Sequence, residues 1–194
     1  MKRYLVLIAA FVLIGSFAFT TPQSDETESY YVYADGFVHG IPTGFMGEHD
    51  GKSLKLDVSC KTEPYKGESC LKLAVDNSET WRGLHIQFTG AWNAQMREDA
   101  KLPDLTPYDK LEFYAKADPV NGEPYILSTI GIGGGGAPED KVEDSYLEIG
   151  STWKKYSISI KGADFKRVNT LLFMVLPVGI LYLDEIRFTK KIKK

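Results

Sequence analysis

The sequence predicts an all-β domain, a two-sheet antiparallel jelly-roll β-sandwich. From Tyr30 onward the chain consists of short apolar or alternating runs separated by Gly, Pro, Asn and Asp clusters, a pattern typical of sandwiches and barrels. Several runs alternate apolar and polar residues, as strands with one buried face do. No segment has a convincing helical period, and the plausible helical turns are 94–101 and 161–166.

Each predicted strand is bounded by turn-forming residues. The clearest turn segments are 63–67, 76–78, 118–122 and 131–140, which are rich in Gly, Pro, Asn and Asp. In chain order, the predicted strands cover residues 31–33, 53–60, 70–75, 83–88, 110–115, 125–132, 153–160, 170–176 and 180–188.

The alternation also predicts which side chains are buried. In the runs 54–58 and 71–75 every second residue is Leu or Val, so these strands are expected to have one exposed face. By contrast, residues 171–176 are all apolar. That run predicts a strand at the centre of a sandwich or beneath a loop.

The amino terminus has the pattern of a secretory signal peptide. Lys2 and Arg3 precede an apolar run over residues 4–14 and small residues up to Ala18. We expect residues 1–18 to be the signal peptide, 19–29 a flexible leader, 30–189 the jelly-roll domain and 190–194 a basic tail. The protein is thus expected to be secreted, periplasmic or at the cell surface, with membrane attachment only if the signal segment is retained.

The charge of the chain argues against a nucleic-acid partner. The formal charge is −3, and the loss of Lys2 and Arg3 would take it to −5, whereas nucleic-acid-binding modules carry a basic excess. The lysines of residues 190–194 are interpreted as a solubilising tail.

Cys60 and Cys70 enclose a short segment with a turn at its centre. In an oxidising compartment, two cysteines this close are predicted to form a disulfide. Strict alternation places Cys60 on the buried face of its strand and Cys70 on the exposed face of its own, so pairing needs a bulge or twist. The alternative is a pair of buried thiols.

The segment 81–88 is the most informative for binding. As a strand, it sends the Leu, Ile and Phe at 84, 86 and 88 into the core and places four other residues on the opposite face: Trp81, Gly83, His85 and Gln87. An aromatic ring beside an imidazole and an amide suits a sugar ring and its hydroxyls. Trp92 and Asn93 follow as a candidate rim. Alternatively, Trp81 covers a sheet edge and His85 is solvated.

Asp184 is the best candidate calcium ligand, because a carboxylate within an otherwise apolar strand needs a reason to be there. Asp35, near the first strand, is its expected acidic counterpart. The competing explanation for Asp184 is a Lys or Arg partner.

The sequence gives little support for an enzyme. The carboxylates Glu139, Asp140, Glu143 and Asp144 follow a glycine run and are interpreted as a charged loop. The glycine run lacks the Lys-Ser/Thr of a phosphate loop, and no nucleophile elbow or metalloprotease motif is present. We therefore expect no catalytic residues.

The order of six stretches carries a resemblance to a known family: Gly44-Phe45-Met46-Gly47, Cys60 to Cys70 with Gly67, Trp81-x-Gly83 with Gln87, residues 105–116, Trp153-Lys154-Lys155-Tyr156 and residues 181–186. In these stretches the chain resembles secreted bacterial galactose-binding-like jelly rolls, including carbohydrate-binding modules. The resemblance spans nearly all of the chain after the signal segment.

The resemblance implies a two-sheet sandwich, often with one structural Ca²⁺, that binds glycans without cleaving them. Asp184 matches the acidic residue of the last strand that commonly reaches the metal, and Trp81 matches the aromatic residue at the start of the strand lining the concave face. His85 and Ile86 stand where relatives can have aromatic residues.

The expected function is that of a secreted, non-catalytic carbohydrate-binding module that recognises a glycan or polysaccharide through a concave sheet face with Trp81. The alternative is a structural or assembly protein of the envelope or cell surface. Such a protein would use the jelly roll for protein contacts or self-association.

Overall fold

A computed structural model describes residues 27–47, 54–76, 82–89, 101–120, 124–133, 141–175 and 177–192 of the chain. Within these residues the strands are β1 (Thr27–Tyr33), β2 (Ile41–Gly47), β3 (Leu54–Cys60), β4 (Cys70–Val75), β5 (Arg82–Gln87), β6 (Lys110–Pro119), β7 (Tyr125–Gly133), β8 (Lys141–Ile149), β9 (Lys154–Ser159), β10 (Thr170–Val175) and β11 (Gly179–Lys191). No helix among the described residues has the length and apolar character needed to cross a membrane.

The strands form two antiparallel sheets. Sheet A has the order β3-β4-β11-β6-β9, with β1 also paired to β11, and sheet B has the order β2-β5-β10-β7-β8. The long β11 pairs with β4 through its first half and with β1 through its second half, while β6 runs along its other side. The predicted all-β, two-sheet antiparallel architecture is confirmed.

Aromatic and aliphatic side chains fill the space between the sheets. Phe113 of sheet A meets Phe173 of sheet B edge to face, with ring centroids 5.3 Å apart, and Tyr156 stacks on the other side of Phe113. Both phenylalanines are fully buried. Such pairs contribute stabilisation beyond the area that they bury, so they fix how the two layers face each other.

The predicted burial holds for the aliphatic side chains of β4 and for β10, and fails for Val58 of β3. Leu71, Leu73 and Val75 are buried, and β10 lies at the centre of sheet B, as expected for its apolar sequence. Val58, however, is 40% exposed. A register shift between Asp57 and Cys60 breaks the alternation on which its predicted burial depended.

The sequence prediction misses β2 and β8, which both lie at edges of sheet B. An edge strand pairs on one side only, so it tolerates glycine, proline and charged residues that a central strand does not. The sheet also includes residues 27–29 of the predicted leader and 190–191 of the predicted tail. Residues 161–166 form no helix. Residues 1–18 and 94–100 lie outside the described part of the chain.

Cys60 and Cys70 are thiols in the structure, not the predicted disulfide. The register nevertheless pairs them directly across β3 and β4, just after the shift between Asp57 and Cys60. Residues directly opposite in an antiparallel pair have Cα atoms about 4.5 to 5.5 Å apart, within the range that a disulfide spans. The bulge therefore supplies the local change of alternation that pairing requires.

We expect the cysteines to become oxidised when the chain folds in an oxidising compartment. Burial raises the pKa of Cys70 to about 12, so the folded protein has little reactive thiolate at neutral pH. Oxidised protein should be about 2 to 3 kcal/mol more stable to urea than the reduced form of the same chain. Thiol titration in denaturant without reductant should find no free thiol, and finding two would contradict the pairing.

Candidate functional site

The candidate site is the outer face of sheet B. His85 and Gln87 lie on β5 and point away from the core, because Leu84 and Ile86 between them are fully buried against it. This confirms the predicted orientation of the strand. Trp81, Trp92 and Asn93 lie outside the described residues, so their part in the site stays a prediction.

The strand register determines which residues surround His85 and Gln87. His85 lies opposite Gly44 of β2 and Leu172 of β10. Gln87 lies opposite Ile41 of β2 and Thr170 of β10. Two adjacent rows therefore cross the sheet, one carrying the imidazole and the other an amide and a hydroxyl.

Glycines leave the backbone open beside these rows. Leu172 lies opposite Gly131 of β7, and Thr170 lies opposite Gly133. A Cβ atom added to Gly83 would lie 2.7 Å from the carbonyl oxygen of Phe173 and 3.1 Å from Cδ1 of Leu172, so this position admits only glycine without a shift of the backbone. The apolar side chain of Leu172 therefore lies between Gly83 and Gly131.

The two polar side chains are far less accessible than the sequence suggested. His85 is 5% exposed and Gln87 is 3% exposed, whereas an open platform was predicted. Both side chains are thus largely covered, and they do not form the open platform that the alternation predicted.

The described residues that the register places around His85 and Gln87 carry no charge. Burial lowers the pKa of His85 below its usual value of 6.5, so the imidazole is neutral at neutral pH and offers one N–H donor and one acceptor nitrogen. Thr170 donates its hydroxyl to the carbonyl oxygen of Gly133. Such a surface can exchange hydrogen bonds with a neutral polar ligand and gives a charged one no counterion.

No side-chain hydrogen bond of Gln87 is found among the residues that the structure describes, and its amide atoms are not among the fully enclosed polar atoms without a partner. The amide therefore keeps some contact with solvent, although the residue as a whole is 3% exposed. A ligand group with both a donor and an acceptor can hydrogen-bond to such an amide. Nothing in the sequence pattern distinguishes this amide from one that is paired.

Asp35 and Asp184, the predicted calcium ligands, both hold the segment that joins β3 to β4. Oδ2 of Asp184 accepts hydrogen bonds from the backbone N–H groups of Tyr65 and Lys66, at 3.0 and 3.1 Å. Oδ1 of Asp184 accepts one from the N–H of Glu185 at 2.7 Å. The carboxylate of Asp35 accepts hydrogen bonds from the N–H groups of Glu68 and Ser69 on the far side of the same segment.

This arrangement does not fit a calcium ion. Calcium needs six to eight oxygen ligands, while the lone pairs of Asp184 are directed at N–H groups, whose partial positive charge would repel a cation. No cluster of three His, Cys, Asp or Glu side chains is found within the described ranges. Burial raises the pKa of Asp184 to about 6, against the opposing effect of its hydrogen bonds. Calcium stays a prediction that these contacts do not support.

The same segment brings together aromatic residues that the sequence interpretation did not single out. The ring of Tyr65 stacks on Tyr114, with centroids 3.6 Å apart, and meets Trp153 edge to face. Nε1 of Trp153 donates to the carbonyl oxygen of Glu63 at 2.9 Å. Lys116 lies over Trp153 and forms an ion pair with Glu63. Alternation in β6 could have identified the outward positions, but the packing depends on how the segment folds back.

Comparison with known proteins shows similarity at the level of structure only. No family model and no curated protein sequence matches the chain. A family 30 carbohydrate-binding module has a TM-score of 0.55 at 19% identity, covering 86% of this chain and 90% of that one. The family 11 carbohydrate-binding module of a cellulosomal cellulase of Clostridium thermocellum has a TM-score of 0.53 at 14% identity, covering 85% and 97%. The chain therefore has the jelly-roll fold of these modules.

Replacing Asp184 should detach the segment between β3 and β4. Asn has one acceptor oxygen where Asp has two, so Asp184→Asn leaves at least one backbone N–H facing an amide donor. We expect the free energy of unfolding in urea to fall by about 2 kcal/mol. Asp164→Asn is the matched control, because Asp164 is exposed and only loosely paired with Lys166.

Equal stability of the two variants would contradict the assigned role of Asp184. Thermal unfolding with added calcium or EDTA tests whether Asp184 binds a calcium ion. We expect calcium and EDTA to leave the Tm of the unaltered protein unchanged, and a calcium-dependent rise that Asp184→Asn abolishes would instead establish the ion.

Proposed function

We propose that this protein binds a neutral glycan on the outer face of sheet B and does not cleave it. The observation that carries the proposal is the amide of Gln87, which makes no side-chain hydrogen bond within the described residues and is not among their fully enclosed polar atoms, so that a ligand at the outer face can reach it. A polar ligand that reaches this amide gains hydrogen bonds without displacing any existing protein contact.

The chemistry around Gln87 suits a sugar. Sugar hydroxyls both donate and accept hydrogen bonds, as the neutral imidazole of His85 and the amide do. Leu172 offers an apolar surface for the C–H groups of a ring, with Gly83 and Gly131 as its close neighbours. Trp81, with Trp92 and Asn93 as the rim, would add the stacking surface that the sequence predicts.

The fold supports the same conclusion. The solved structures of this fold named above are carbohydrate-binding modules, which bind their ligand without a catalytic centre of their own. We therefore propose a non-catalytic role. Export by residues 1–18 is part of the proposal, because it would bring the protein to extracellular or envelope polysaccharides.

A second candidate function is assembly with other protein chains at the envelope or cell surface. Both edges of sheet B carry exposed apolar side chains, Ile41 of β2 at 47% and Tyr146 of β8 at 66%. Exposed edge strands can pair with another chain. Light scattering at high protein concentration separates the two functions, since assembly requires oligomers in the absence of any glycan.

The glycan proposal predicts opposite effects of one substitution on binding and stability. Gln87→Leu keeps the side-chain volume and removes the unpaired amide, so the free energy of unfolding should stay the same or rise. Affinity for a polysaccharide from a panel of soluble β-glucan, xylan and mannan should fall about tenfold. Isothermal titration calorimetry and urea unfolding measure the two quantities.

Trp81→Ala should abolish binding to the same polysaccharide while the circular dichroism spectrum is retained. Ser157→Ala serves as the control, because Ser157 is exposed on the outer face of sheet A. The proposal is wrong if no polysaccharide binds. It is also wrong if Gln87→Leu and Trp81→Ala both bind as tightly as the unaltered protein and the Ser157→Ala control do.

A further inference from the structure

A hollow of about 420 Å³ lies on the outer face of sheet A, on the opposite side of the sandwich from Gln87. Its volume is within the range of small-molecule sites. It lies between the ends of β6, β9 and β11 and is lined by five lysines: Lys110, Lys155, Lys161, Lys190 and Lys191. Asp109 and Glu112 are the acidic residues of the lining.

Two lysines of the predicted carboxy-terminal tail, Lys190 and Lys191, line this hollow. Lys190 and Lys191 belong to β11. Nζ of Lys190 lies 3.0 Å from the carboxylate of Glu28 and 5.7 Å from the ring centre of Tyr108. These contacts fix the ammonium group in place, so the carboxy-terminal lysines are part of a shaped surface and not only a solubilising tail.

The hollow carries an excess of positive charge on a chain with a net charge of −3. Glu112 is already neutralised by Lys155, whose Nζ lies 2.8 Å away, and by Arg187 at 3.6 Å. Lys110 and Lys161 are exposed and pair with no carboxylate among the described residues. These two lysines, beside the three others of the lining, give the hollow a positive potential that attracts an anion.

The remaining lining residues favour an acidic sugar over a dense polyphosphate. Ser159 is exposed and adds a hydroxyl group to the lining. Asp109 can accept hydrogen bonds from ligand hydroxyls, whereas its charge disfavours phosphates packed side by side. Ammonium groups together with neutral and acidic hydrogen-bonding groups suit a saccharide that carries one carboxylate per ring.

We propose that this hollow is a second binding site, for a carboxylated polysaccharide. It lies on the other sheet from the neutral glycan site and does not depend on it. The ammonium groups of Lys110 and Lys161 pair with the carboxylates of the polysaccharide, and the hydroxyl of Ser159 and the carboxylate of Asp109 bind its ring hydroxyls.

Polygalacturonate and its methyl-esterified form test the proposal, because they share one sugar backbone and differ in charge. We expect calorimetry at low salt to detect binding of polygalacturonate only, weakened by added salt. Lys110→Ala with Lys161→Ala should reduce the affinity about tenfold. Lys55→Ala with Lys61→Ala is the matched control, because both lysines are exposed on or next to β3, at the opposite edge of sheet A, and should leave binding unchanged.

The proposal would be overturned if both double variants lost the same affinity for polygalacturonate. It would also be overturned if the methyl-esterified polymer bound as tightly as polygalacturonate. Tighter binding of tripolyphosphate, or of vesicles containing phosphatidylglycerol, would overturn the saccharide assignment. The outcome is separable from that of the neutral site, because Gln87→Leu should leave polygalacturonate binding intact.

Discussion

The bulge in β11 is the constraint on which the outer face of sheet A depends. Before it, Leu181 and Leu183 point into the core, and after it Ile186 and Phe188 do, so the register shift between Asp184 and Arg187 reverses the alternation. Glu185 adopts a φ of 49° there, a conformation that costs a non-glycine residue about 1 kcal/mol or more. The hydrogen bonds of Asp184 to the segment between β3 and β4 offset this cost.

The two outer faces have consequently become different surfaces. On sheet A, the bulge directs Asp184 toward a folded-back segment that covers part of the face with Tyr65, and it places Thr189 and Lys191 beside the basic hollow. On sheet B, the described centre of the face carries neutral groups, glycines and an unpaired amide. One sandwich can therefore present a neutral surface and a cationic surface to different ligands.

The sequence predicted what depends on periodicity and missed what depends on tertiary contacts. Period-two burial identified the two layers, the orientation of β5 and the central position of β10. It missed β2, because an edge strand with Gly and Pro lacks the apolar signal of a central one. The residue type of Asp184 indicated a special role, but only the fold shows that its partners are the backbone N–H groups of Tyr65 and Lys66, which no side-chain pattern encodes. The burial of His85 is likewise a property of the folded protein that the alternation within β5 does not reveal.

The most direct test of the neutral glycan site is an NMR titration of isotope-labelled protein with cellohexaose, xylohexaose and mannohexaose. The side-chain amide of Gln87 reports the central claim, because it has no partner to lose among the described residues. We expect one of these oligosaccharides to shift that amide and the backbone signals of Ile41 and Thr170, its neighbours in the register. Signals of Tyr65 and Ser157 on sheet A should stay in place. Saturating binding that leaves Gln87 unmoved, or that shifts sheet A instead, would contradict the account.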